Sequence, residues 1–225
     1  MGSNEQSSRG RAGKRKDRRA RFATREPKLG YYLIVTDTEE TEKNYFEGLR
    51  NSLPAETRDR IVIKVEKAKT TYNLIDRALE LSSAQAQQRI IWIVFDRDEV
   101  KTFDGMIEAS QRNDIHTGWS NPCFEIWMLA YFGEMPNIAD SVTCCSRFAE
   151  RFEKATGQAY RKNDANIYNK LAQVGDFRAA YRLAERNLRQ AESEGKKPSA
   201  SYPACTVHLL VKEILDKAEG RKPKE

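Results

Sequence analysis

Short apolar runs alternating with amphipathic stretches set the pattern of the chain from Tyr31 onward. Tyr31-Tyr32-Leu33-Ile34-Val35 is a continuous run of β formers, which predicts a strand buried on both faces. After Thr36-Asp37-Thr38 the spacing turns helical through about Ser52, with Tyr45, Phe46 and Leu49 on one face, and Pro54 closes the helix. The cycle then repeats. Ile61 to Val65 predicts a strand, and Thr71 to Gln87 a helix carrying Leu74, Ile75, Ala78, Leu79 and Leu81. Ile90-Ile91-Trp92-Ile93-Val94-Phe95 is the strongest strand signal. A short helix around Phe103 to Arg112 leads to a strand near Ile115 to Trp119, and Asn121-Pro122 opens a helix to about Phe132. This alternation predicts an α/β fold with a mostly parallel sheet flanked by helices.

From Ser141 onward the pattern is helical only, over about 141–156, 167–194 and 206–219. The expected organisation is a basic arm over 1–28, an α/β domain over 29–140, and a helical C-terminal extension over 141–225 packed on it.

Charge changes the picture at one end. The 225 residues carry a net charge of +6, and ten Lys or Arg against three acids fall within residues 1–28. The rest is close to neutral, so the basicity belongs to the arm. With its glycine and serine punctuation the arm is expected to be disordered when free. Arg15, Lys16, Arg18 and Arg19 are its expected nucleic-acid contacts, through counterion release. A solvated tail is the competing reading. Four cysteines (Cys123, Cys144, Cys145, Cys205) and two histidines (His116, His208) show no zinc or disulfide spacing. That composition, with no apolar run of membrane-spanning length and no signal-peptide core behind the arm, predicts a cytoplasmic protein with reduced thiols and no membrane association.

Ligands of open parallel sheets lie beyond the carboxyl ends of the strands, and acids fall there. Asp37 follows the first strand, and Asp96 and Asp98 follow the central one in Val94-Phe95-Asp96-Arg97-Asp98. Glu125 lies one turn into the helix that opens at Asn121-Pro122. Carboxylates leaving a strand end together repel unless a cation sits between them. Magnesium or manganese suits such oxygen ligands, activating a water and neutralising phosphoryl charge. Each acid also has a plain structural alternative. Asp37 can cap a helix, Glu39, Glu40 and Glu42 are stabilised by the helix dipole, and Glu125 can be a surface helix residue. The start of the 121–132 helix can bind phosphate or simply be capped by Asn121. Tyr160, Arg161 and Lys162 form a second cluster, able to contact phosphate or simply to pack on the surface, and Arg178, Arg182, Arg186 and Arg189 form a basic helical stripe whose plain alternative is a solvated face.

Three runs in this order and spacing, Leu33-Ile-Val-Thr-Asp-Thr-Glu-Glu-Thr-Glu-Lys-Asn-Tyr-Phe46, Val94-Phe-Asp-Arg-Asp-Glu99 and Ser120-Asn-Pro-Cys-Phe-Glu-Ile-Trp-Met-Leu129, resemble the RloB-like proteins. The basic lead-in and the ending Tyr202 to Val211 fit too. That family is similar to the Toprim superfamily. The resemblance implies a Toprim-like α/β domain, magnesium gathered at Asp96 and Asp98, Asn121 and Glu125 beside them, and a role in prokaryotic antiviral defence and abortive infection. It also implies an ATPase partner of the ABC or AAA type. Where the family usually has Glu-Gly after the first strand, this chain has Asp37-Thr38; Asp37 is shorter, and Thr38 removes the close-approach glycine. Asp37 then still reaches the metal, or Glu39 or Glu40 substitutes, or catalysis is weakened.

The expected function is a magnesium- or manganese-dependent Toprim-type endonuclease acting on RNA, transfer RNA included, or on DNA. Its catalytic and metal-binding residues would be Asp37, Asp96, Asp98 and Glu125, with Asn121, Arg161 and Lys162 among the nucleic-acid contacts. The alternative is a non-catalytic nucleic-acid-binding or ATPase-associated regulatory subunit, and a homo-oligomer stays open. No serine elbow or histidine-based triad supports acyl chemistry.

Overall fold

The computed structural model of the chain describes residues 30–36, 40–58, 61–67, 73–83, 90–98 and 100–220. The arm, with Arg15, Lys16, Arg18 and Arg19, lies outside the described residues, as do Asp37 and Glu39. The strands are β1 (Gly30–Thr36), β2 (Ile61–Lys67), β3 (Ile90–Asp96), β4 (His116–Asn121) and β5 (Ala204–Cys205). They form one sheet in the order β2-β1-β3-β4-β5. The first four run parallel and β5 pairs antiparallel with β4, Ser120 opposite Cys205 and Asn121 opposite Ala204. The fold is α/β, a mostly parallel sheet flanked by helices, with a helical C-terminal part.

Side chains alternate across a strand, so the apolar runs feed two cores. Tyr32 and Ile34 of β1 and Trp92 and Val94 of β3 face one core. It also contains Tyr45, Phe46 and Leu49 of α1 (Thr41–Ser52), and the short α2 (Ala55–Arg58) follows that helix. Leu33 and Val35, with Ile91, Ile93 and Phe95, face the other. They pack against α3 (Leu74–Ser83) and α4 (Phe103–Arg112) through Leu74, Ala78, Phe103, Met106 and Ile107. Continuous apolar strands are what burial on both faces requires.

The helix after β4 is shorter and starts later than the sequence predicts. Asn121 ends β4, and α5 spans Glu125–Ala130 with every residue buried. Ile126, Trp127, Met128 and Leu129 are each removed from solvent, and each such burial is worth about 1.5–3 kcal/mol. That anchoring fixes Glu125 at the first turn. Further helices cover the same face: α6 (Ser141–Thr156), α7 (Ile167–Val174), α8 (Phe177–Ser193) and α9 (Val207–Ala218). The single helix expected over 167–194 breaks at Gly175 and Asp176. Asp176 Oδ1 accepts from the backbone N–H groups of Arg178 and Ala179 at 2.8 and 3.1 Å and so caps α8. The C-terminal part also contributes β5, held by Thr206, whose hydroxyl accepts from Trp119 N–H and donates to Thr117 C=O. Among the described residues no helix is long and apolar enough to cross a membrane.

Candidate functional site

The sheet order creates a switch point. From β1 the chain crosses by α1 to β2 on one side, then returns by α3 to β3 on the other. The two helices lie on opposite faces, and a crevice opens beyond the carboxyl ends of β1 and β3. A cleft of about 490 Å³ occupies it. Glu40, Thr41 and Glu42 line it from the start of α1, Asp96 and Asp98 from the end of β3, and Cys123 and Glu125 from the entry to α5. Cys145 and Lys162 close it from the C-terminal half. A slightly larger depression, about 520 Å³ beside Trp92, Ile107, His116 and Leu188, lies at the opposite ends of the strands.

Among the described residues the cleft therefore sets five carboxylates against one basic side chain. Three of them, Glu42, Asp96 and Glu125, are 3%, 7% and 2% exposed, and buried carboxylates need compensation. Asp96 Oδ2 accepts from the Phe124 backbone N–H at 3.0 Å, which ties the end of β3 to the entry of α5. Glu125 Oε1 accepts from the Tyr160 hydroxyl at 2.9 Å, and Tyr160 lies 3.0 Å from the Thr41 hydroxyl. Burial and the adjacent Glu125 charge hold the Tyr160 phenol well above its ordinary range, so it remains a donor. Lys162, exposed at the rim, is disfavoured by partial burial, but Glu125 and Glu42 outweigh that cost and raise its pKa. Its backbone carbonyl accepts from Asn44 Nδ2 and from Thr41, holding the loop over α1.

Asp96, Asp98 and Glu125 thus line one cleft, Asp98 exposed at its mouth. Lys162 joins them and Arg161 is exposed next to it. Asn121 has a structural role: buried at the strand end, its amide donates to the Pro198 and Ser199 carbonyls at 2.9 and 3.2 Å. At the start of the following helix, where a phosphate site is expected, the Phe124 N–H donates to Asp96. The basic stripe of α8 is exposed, with Arg189 paired to Glu185. Thr41, Glu42, Cys123 and Cys145 line the cleft although the sequence pattern does not assign them to it, and Tyr160, expected in a phosphate-contacting cluster, braces Glu125. For Glu42 the available signal was its position just past the first strand.

Oxygen donors of this kind fit a hard divalent cation, which also relieves the repulsion among the carboxylates. Among the described residues, however, the three side chains whose ligand atoms all lie within 4.8 Å of one another are Cys123, Glu125 and Cys145. A cation at Asp96, Asp98 and Glu125 would take part of its shell from water, as magnesium commonly does.

A family model described as RloB-like protein matches residues 32–214. No curated protein and no solved structure matches the chain.

Proposed function

Because the chain belongs to the RloB-like family, we propose that it is a magnesium- or manganese-dependent nuclease, cutting phosphodiester bonds of RNA or DNA in prokaryotic antiviral defence. The observation that carries this is the set of carboxylates Asp96 and Asp98, from the end of β3, and Glu125, from the start of α5, around one cleft at the sheet's switch point. A cleft so acidic repels a phosphodiester until cations occupy it, which makes a cation part of any phosphate chemistry there. The bound cation would supply an activated water and neutralise charge on the phosphoryl group. Asp96 is the fixed ligand, its second oxygen held by Phe124 N–H. Asp98, exposed at the mouth, is the adaptable ligand. Glu125, oriented by Tyr160, completes the shell or positions the water. Asp37, three residues after Ile34 in the sequence and outside the described residues, is the proposed further ligand or general acid–base. Lys162 and Arg161 contact the nucleic-acid backbone at the rim, and the arm over 1–28 adds sequence-independent attraction. An ATPase of the ABC or AAA type is the proposed partner, and a cytoplasmic location fits these substrates.

The test incubates the full chain with labelled total RNA, single-stranded DNA and plasmid in magnesium, manganese or EDTA. Cleavage that requires the cation is expected on at least one substrate. Nucleic-acid or ATPase binding with no cleavage on any of them would replace the nuclease by a non-catalytic subunit.

A further inference from the structure

We propose that Cys123, Cys145 and Glu125 form a binding site for a thiophilic divalent cation, zinc foremost, in the wall of the carboxylate cleft. The two sulfurs are 3.9 Å apart. Two thiolates on one tetrahedral zinc, each about 2.3 Å from it, stand about 3.8 Å apart, so the sulfurs already span one edge of that tetrahedron. A carboxylate oxygen of Glu125 lies within 4.8 Å of both. The triad comes from two elements fixed independently: Cys123 and Glu125 flank the buried entry to α5, and Cys145 lies in the first turns of α6. All three face the cleft, which leaves the fourth position to water, as in three-ligand zinc sites.

The surroundings suit the charge of such a site. Two thiolates and a carboxylate around a dication leave one net negative charge, and Lys162 is the basic side chain lining that cleft among the described residues. The Tyr160 hydroxyl donates to Glu125 Oε1 and leaves the other oxygen to serve as ligand, the outer-sphere arrangement that orients metal-binding carboxylates. Each thiol releases its proton to solvent as its sulfur takes the cation. Sulfur donors discriminate against magnesium, so this site and the carboxylate site select different ions while sharing Glu125. If the cleft works as proposed above, zinc would lower cleavage by withdrawing Glu125; the binding itself needs no cleavage to be measured.

The test uses the full chain, stripped of metal and kept reduced with a phosphine. Cobalt is titrated first and zinc second. The expected result is a thiolate-to-cobalt charge-transfer band in the near ultraviolet that saturates at one equivalent and is bleached by zinc but not by magnesium. Cys145→Ser, at a half-buried and nearly isosteric position, should lose the band and weaken zinc binding by at least about tenfold. Cys123→Ser should do the same, while Glu125→Gln keeps the band with about tenfold weaker binding. Cys144→Ser, outside the triad, should retain both. Absence of the band in a folded protein, or an undiminished band in Cys145→Ser and Cys123→Ser, would reduce the pair to a thiol–thiol contact and overturn the proposal.

Discussion

Tyr160→Phe isolates the contact that orients Glu125. The substitution deletes one hydroxyl and keeps the ring, whose edge-on contact with Phe148 has its centroids at 4.7 Å. The lost hydroxyl donates to Glu125 at 2.9 Å and sits 3.0 Å from Thr41 Oγ1. A hydrogen bond to a charged group contributes about 1.5–3 kcal/mol. The cleft is open, so water can take over part of the role, and the expected loss is about 2 kcal/mol. For a chain of this length that corresponds to about 4–8 °C in melting temperature, or roughly 0.7–1 M in urea midpoint at unchanged slope. Repeating the change in a Glu125→Gln background separates charge from shape. A neutral acceptor reduces the bond to about 1 kcal/mol, so the cycle should close with a coupling of about 1 kcal/mol. Equal losses in both backgrounds, or a loss below about 0.5 kcal/mol in the first, would show that Tyr160 does not brace the Glu125 carboxylate.

Gly175→Ala should destabilise by about 2 kcal/mol or more in urea unfolding: a Cβ there would meet the Tyr131 carbonyl oxygen at 2.9 Å and its Cβ at 2.7 Å, and backbone cannot swing aside. Stability should fall as pH drops below about 6.5, because burial outweighs Glu185 and holds the His208 pKa below its ordinary value, so the unfolded chain binds the extra proton. Urea midpoints at several pH values should show this in wild type and a flatter profile in His208→Gln. Lys162→Gln should weaken nucleic-acid binding and lower the slope of log K against log salt by about one unit; an unchanged slope would remove Lys162 from the interface.

The strands were legible because burial on both faces forces continuous apolar runs such as Ile90 to Phe95. Asp96 and Asp98 could be read as a pair because they follow the clearest of these runs. The break at Gly175 was not read, since the apolar positions from Ile167 to Ala191 keep helical spacing across it; a glycine followed by a capping aspartate was the signal. The two residues of β5 are too few to carry a period. Glu42 has a sufficient local reason to sit in a first helical turn, which hid its place in the cleft wall. Cys123 and Cys145 are 22 residues apart and meet only because α5 and α6 pack together. Sequence spacing shows ligand sets built within one element or loop, and this one is built between two.

The central claim concerns Asp96, and one substitution tests it with little disturbance of the fold. Asp96→Asn keeps an oxygen to accept from Phe124 N–H while removing the charge. On the substrate cleaved best by wild type, single-turnover cleavage in manganese should fall by at least about a hundredfold, with the thermal transition within about 3 °C of wild type. Asp96→Asn that folds, binds nucleic acid and cuts at the wild-type rate would contradict the assignment of this cleft as the catalytic centre.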